Sequence, residues 1–203
     1  MTLLEELPRE QYREASIPVL ETKRLVLRAP RLEDAKAVAA LANDRRIAEN
    51  TARIPHPYKL ADAESFISAS NDGGEALFLI TARERASKGA ILGACGFVTR
   101  DKEVPELGYW LGVEHWGKGY ATEALHALID YAFGAFDHAA LQAGARVTNP
   151  SSRRVLEKCG FQWTGVGLYR IRAINSSAPI DRFRLERGIW SALKGWSKSK
   201  RVM

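Results

Sequence analysis

The stretch Trp116-Gly117-Lys118-Gly119-Tyr120-Ala121-Thr122 places two glycines, a lysine and a threonine just ahead of a run with helical periodicity. Exposed backbone N–H groups and the positive end of a helix dipole would coincide there, which binds phosphate without needing a charged side chain. Gly117 and Gly119 let an anion approach the backbone closely, and Lys118 adds a screened positive charge. Two nucleotide patterns each fail here by one residue. Gly112 to Gly119 follows the P-loop GxxxxGK[ST] for seven positions, but Gly119 has no hydroxyl for magnesium. The dinucleotide fingerprint GxGxxG ends on Thr122 instead of a third glycine.

The elements that must hold this loop follow from the pattern around it. Glu106 to Val113 alternates as a strand, so Tyr109 and Trp110 point to opposite faces, one to the reacting groups and one to the core; the alternation does not choose between them. Gly119 to Phe136 is the strongest helix, with Leu125, Leu128, Ile129, Ala132, Phe133 and Phe136 as its apolar stripe. A strand over Leu141–Val147, a short helix over Pro150–Lys158 and closing strands near Phe161–Ala173 and Ile180–Arg187 follow. Upstream, Arg24–Ala29 is a first strand, Leu32-Glu33-Asp34 opens a helix through Leu41, and two prolines stiffen Ile54–Tyr58. Asp62–Ser70 resumes helix, Asn71-Asp72-Gly73-Gly74 turns the chain, and Leu77–Thr81 and Ile91–Val98 are strands. Residues 1–20 read as an arm with a short helix, 21–188 as one domain and 189–203 as a basic tail.

With 203 residues, 46% hydrophobic and 27% charged, the chain has the composition of one globular domain. No apolar run approaches the roughly 20 residues that span a bilayer, and the N-terminus lacks the pattern of a secretory signal, so a cytoplasmic protein is expected. Cys95 and Cys159 lie far apart in apolar surroundings and read as buried reduced thiols. The net charge of +6 owes four positions to Lys194, Lys198, Lys200 and Arg201. That leaves a contact to the ribosome or other nucleic acid through the tail as the one nucleic-acid reading, beside a plain solvated end.

A third glycine pattern, [QR]xxGx[GA], fits at Gly119 and Ala121, with Trp116 in place of the Gln or Arg. Together with the Glu106 strand, Ala121-Thr122-Glu123-Ala124 and the segment Asn149-Pro-Ser-Ser152-Arg-Arg-Val-Leu-Glu-Lys-Cys-Gly160-Phe161, it resembles the GNAT superfamily of acetyltransferases. Leu25–Pro30, Leu32-Glu33-Asp34 and Pro57-Tyr58 look like the opening of its Rim-like branch, which modifies ribosomal-protein N-termini among other amines. The resemblance covers about residues 20–188. It implies an α+β fold: a mostly antiparallel sheet of six to seven strands, with one splayed parallel pair and flanking helices. It also implies acetyl-CoA as co-substrate, no metal, and a monomer or homodimer. The acceptor would be a protein N-terminus or a small-molecule amine (polyamine, antibiotic or amino acid) attacking the thioester directly. A silent coenzyme-binding module docked on RNA or ribosome is the non-enzymatic alternative.

The same resemblance assigns roles. Leu111 and Val113 would offer backbone to the pantetheine arm, and an N–H there would polarise the thioester carbonyl. The N–H groups of Gly117, Lys118, Gly119, Tyr120, Ala121 and Thr122 would hold the pyrophosphate, and Asn149 would bond the pantetheine. Arg153, Arg154 and Lys158 lie within reach of the 3′-phosphate. Glu106 matches an acidic position used as base and also reads as a strand-end carboxylate. Relatives carry a tyrosine acid four residues before the Gly-Phe pair, where this chain has Leu156; Ser152 is the substitute, or a helix cap. His115 reads as a half-exposed loop histidine.

Overall fold

The computed structural model describes residues 17–69, 75–83, 89–99 and 104–199. The short helix expected before Ser16 and the turn at Asn71–Gly74 lie outside them. The chain opens on a two-residue strand β1 (Leu20–Glu21), then β2 (Leu25–Arg28), a 3-10 turn over Leu32–Asp34, and helices α1 (Ala35–Ala42), α2 (Arg45–Ala48) and α3 (Leu60–Ala69). Strands β3 (Glu75–Ala82), β4 (Ile91–Val98) and β5 (Glu106–Leu111) follow, then helix α4 (Tyr120–Ala135) and strand β6 (Ala140–Arg146). Helix α5 (Pro150–Lys158), the hairpin β7 (Gln162–Ile171) and β8 (Ser176–Glu186), and helix α6 (Arg187–Ser199) complete it.

All eight strands form one sheet in the order β1-β2-β3-β4-β5-β6-β8-β7. It exceeds the expected six to seven strands by the two-residue β1. Every pairing is antiparallel except β5 with β6, which run parallel. Alternation along each strand sends its side chains to two cores. One face packs Leu107, Leu111, Leu141, Phe78 and Phe183 against Leu125, Leu128 and Ile129 of α4 and Leu156 of α5. The other packs Leu77, Leu79 and Ala94 against Val38 of α1 and Ile67 of α3. Both cysteines are buried free thiols, as their surroundings predicted.

The expected basic tail differs in its first part. Residues 187–199 form α6, in which the Trp190 ring lies 5.1 Å from that of Phe133. Its indole donates to Asp130 Oδ1 at 2.8 Å. One apolar face and one acidic partner on α4 are enough to dock a lysine-bearing segment as helix.

The entry to α1 is fixed by a bidentate ion pair. Arg28 Nη1 and Nη2 donate to the two Asp34 oxygens at 2.8 Å each, and the Arg31 N–H donates to the same carboxylate at 2.8 Å. The Arg28 guanidinium, aided by that N–H and opposed by burial, holds the Asp34 carboxyl below its ordinary value. A depressed carboxylate contributes stability above its unfolded pKa of about 3.9 and loses it as pH falls through the lower folded value. Asp34→Asn is therefore expected to cost about 2–3 kcal/mol in urea unfolding at neutral pH. The gap between variant and wild type should close as the titration is carried below the lowered pKa.

Candidate functional site

Chain order alone places the glycine loop at the C-terminal end of β5. The strand ends at Leu111, two residues earlier than its pattern, because Val113–His115 turns into a 3-10 helix. At this turn the chain runs close to α1, where a Cβ on Gly112 would lie 2.9 Å from Leu41 Cγ. Val113 therefore leaves the strand and offers no strand backbone.

Helix α4 starts on Gly119, at φ 79° and ψ 4°, with no side-chain cap. The first helical bond runs from Glu123 N–H to the Gly119 carbonyl, so the N–H groups of Tyr120, Ala121 and Thr122 have no intrahelical partner. Gly117 is likewise at φ 73°. Both angles belong to the left-handed region that side chains resist. Lys118 and Gly119 are exposed, while Tyr120, Ala121 and Thr122 are half-buried at the mouth of α4.

A clamp that the motif does not contain fixes this loop. Glu123, in the first turn of α4, accepts from the Thr22 hydroxyl at 2.6 Å, the Arg24 N–H at 2.8 Å and Arg24 Nε at 2.7 Å. Arg24 Nη1 donates to the Lys118 carbonyl at 3.0 Å, and its guanidinium lies 4.6 Å over the Tyr120 ring. Burial raises the Glu123 pKa, but the bonds from Thr22 and Arg24 outweigh it and leave the carboxyl below its ordinary value. Trp116, where the pattern has Gln or Arg, is 44% exposed and donates its indole N–H to the Leu111 carbonyl at 2.8 Å. It seals the end of β5.

Strands β5 and β6 pair only at Glu106↔Gln142 and Leu107↔Ala143 and then part. The Gln142 N–H bonds the Pro105 carbonyl, while the Gly112 N–H bonds Leu92 on the opposite side. By strand alternation the peptide groups of Tyr109 and Leu111 face the opened gap. With the Leu111 carbonyl taken by Trp116, the Tyr109 N–H and C=O and the Leu111 N–H are left for a ligand threaded between the strands.

The two candidate catalytic side chains sit on opposite faces of the sheet. Tyr109 belongs to the α4 and α5 face, where its phenol oxygen lies 2.7 Å from Ser152 Oγ across the gap. Burial, partly offset by that bond, pushes the Tyr109 pKa up to about 12, so the group is a neutral phenol. Trp110 packs on the α1 and α3 face, and Glu106 shares its parity. Between them Gly108 is exposed, and a Cβ built there would meet nothing within 4 Å. A mid-sheet strand thus has bare, open backbone beside Glu106.

At the start of α5, Asn149 is the N-cap, its Oδ1 accepting the Ser152 N–H at 3.0 Å. Ser152 therefore does not cap the helix, and Asn149 spends its oxygen there, which leaves its amide as the group facing a ligand. Arg153 pairs with Glu157 at 2.9 Å and Asp181 at 3.5 Å, leaving Arg154 and Lys158 as the exposed bases of this helix. Leu156 is fully buried. His115 is half-buried in the 3-10 turn, 3.6 Å from the Glu114 carboxylate.

Residues 44–60 and 170–180 meet over the mouth of the gap. The Arg172 N–H donates to the Ala52 carbonyl at 3.1 Å, and Arg146 Nη1 to the Glu49 carbonyl at 2.8 Å. Arg83 stands elsewhere, bonded to the Thr22 carbonyl at 2.7 Å beside the Arg24 clamp.

A splayed parallel pair, an uncapped helix at the end of one strand and a serine at the head of the next helix form a seat for a phosphorylated, extended acyl carrier. The acetyltransferase (GNAT) domain model matches residues 24–162. The chain belongs to the GNAT acetyltransferase family. An uncharacterized N-acetyltransferase, p20 of Bacillus licheniformis, is 33% identical over 153 residues, covering 72% of this chain and 84% of that protein. The ribosomal alpha-N-protein acetyltransferase RimL, solved with coenzyme A, superposes with a TM-score of 0.71 at 16% identity over 83% of this chain and 98% of RimL. Spermidine N-acetyltransferase of Vibrio cholerae, solved with CoA and spermine, gives 0.69 at 20% identity over 83% and 99% of the two chains. As a member, the chain is an acetyl-CoA-dependent N-acetyltransferase.

Gly119→Ala would force a Cβ into the left-handed region, at about 1–2 kcal/mol. It should lower the urea midpoint accordingly and, if the unpartnered N–H groups of this turn hold the pyrophosphate, weaken CoA binding by calorimetry about tenfold or more, because relieving the strain reorients them.

Proposed function

We propose that this enzyme acetylates the N-terminal amine of a peptide or protein, by direct attack of the amine on acetyl-CoA held in the β5–β6 gap. The observation that carries this reading is the open backbone at Gly108 beside Glu106, on the sheet face opposite Ser152. Acetyl-CoA supplies the activated acyl group. The pyrophosphate falls to the N–H groups from Gly117 to Thr122, with Lys118 beside them, and the 3′-phosphate to Arg154 and Lys158. The Asn149 amide and the gap-facing peptides of Tyr109 and Leu111 hold the extended arm, and a gap-facing N–H polarises the acyl carbonyl. Glu106 takes the ammonium proton, since only the free amine is nucleophilic. Ser152 stands on the other side to assist the departing sulfur. The reaction is placed in the cytoplasm.

The acceptor mouth supports a peptide over a polyamine. Arg146 and Arg172 lie close to it, whereas Glu49 is paired with Arg45 at 2.6 Å and Asp44 with Arg46 at 2.7 Å, which leaves Glu106 for the single amine of a peptide. A polycation would enter against like charge. A ribosomal protein is one such acceptor, as for RimL.

Thiol release from acetyl-CoA should be faster with peptides beginning Ala, Ser, Thr or Met than with spermidine; the reverse order would assign the mouth to small amines. Glu106→Gln is expected to lower kcat/KM by about 100-fold at neutral pH while the KM for acetyl-CoA is unchanged. A variant with undiminished kcat/KM would return Glu106 to a solvated strand end.

A further inference from the structure

We propose that Tyr109 positions Ser152 for the leaving group, by switching the serine hydroxyl from a closed pair with the phenol into a donor aimed at the coenzyme sulfur. The inference rests on the assignment of the β5–β6 gap to the pantetheine arm. It adds a residue that the glycine loop, the Asn149–Phe161 segment and the Glu106 position do not contain.

The phenol oxygen is 2.7 Å from Ser152 Oγ, where either group can donate, and 3.3 Å from the Ser152 carbonyl, to which only the phenol can donate. Two hydroxyl protons can satisfy these contacts in two ways. In the first, Ser152 donates to the phenol and the phenol to the carbonyl, so both protons are spent inside the pair. In the second, the phenol donates to Oγ and the serine proton turns outward. Passing between them rotates two O–H bonds and breaks neither. The bond surrendered is the long one, and the bond gained is to an anion, which is roughly twice as strong as a neutral one. Negative charge on sulfur thus selects the outward arrangement.

Among the described residues the phenol is the side chain that meets the serine hydroxyl. Asn149 caps α5 in its place. The position where relatives carry a tyrosine acid holds Leu156, fully buried. The phenol reaches the start of α5 from β5, with Cys159, another group held neutral by burial, near it. Tyr109 does not itself surrender a proton: it titrates near 12, against about 8.5 for a thiol. It orients and polarises the serine.

The test needs no acceptor. Calorimetry compares CoA with desulfo-CoA from about pH 6 to pH 10, so that the ratio of affinities isolates ionisation of the sulfur. In the wild type the ratio should rise about tenfold or more as the thiol ionises, the mark of a hydrogen bond to a charged acceptor. Tyr109→Phe should flatten most of that rise, any loss of arm contacts common to CoA and desulfo-CoA cancelling in the ratio. Ser152→Ala should flatten it equally, and the double variant should add nothing. A wild-type ratio independent of pH, or a Tyr109→Phe ratio that still rises fully while Ser152→Ala flattens it, overturns the proposal. Failure of the wild type to bind desulfo-CoA overturns instead the assignment of the gap.

Discussion

Two parallel strands that pair for two residues and then separate govern the rest of this structure. Between Leu107 and Leu111 the sheet gives up ladder bonds, and an unsatisfied buried peptide group costs about 1–3 kcal/mol. The sheet carries that cost because its other pairings are long: seven register pairs each for β3–β4 and β6–β8, and nine for β7–β8. Both strands run toward the same end, so α4 and α5 begin on either side of the opening. Helix dipoles, exposed N–H groups and unpaired strand backbone therefore converge at one end of the gap.

Side chains hold that geometry in place. The Arg24–Glu123–Thr22 cluster ties the first turn of α4 to the β1–β2 turn, and Trp116 anchors the loop to the last strand carbonyl. The Tyr109–Ser152 bond joins β5 to α5 across the gap on one face, while Arg146 and Arg172 hold residues 49 and 52 over it on the other. In the proposed reaction the sheet thus divides the work, with Glu106 on one face to accept the amine proton and Ser152 on the other to serve the departing sulfur.

Much of this was legible in the sequence, for reasons that differ by residue. Periodicity found the strands and α4, and the two glycines marked the sharp turn ahead of α4, because φ near 75° leaves glycine as the residue of choice. Alternation showed that Tyr109 and Trp110 part company, but not which one meets α5; that depends on how the sheet is layered. The strand pattern ran on through Val113, but β5 ends at Leu111 where Val113–His115 turns into a 3-10 helix. Asn149 and Ser152 both suit a helix cap in the same four-residue segment, and only the backbone of α5 shows that Asn149 is the cap while the Ser152 hydroxyl meets Tyr109. Arg24 lay in plain view as a strand-start arginine whose partner, Glu123, is 99 residues away. The helix at the C-terminal end did leave a signal, Ile189, Trp190 and Leu193 on one side, which the lysines around it obscured.

The central claim is that the gap between β5 and β6 is closed by the coenzyme's own backbone-like arm. Amide hydrogen exchange, resolved by residue, tests it most directly. In the free protein the Tyr109 and Leu111 amides should exchange faster than that of Leu107, and saturating CoA should slow both together with the amides of Tyr120 to Thr122. Protection confined to α4, with Tyr109 and Leu111 exchanging as before, would contradict the account.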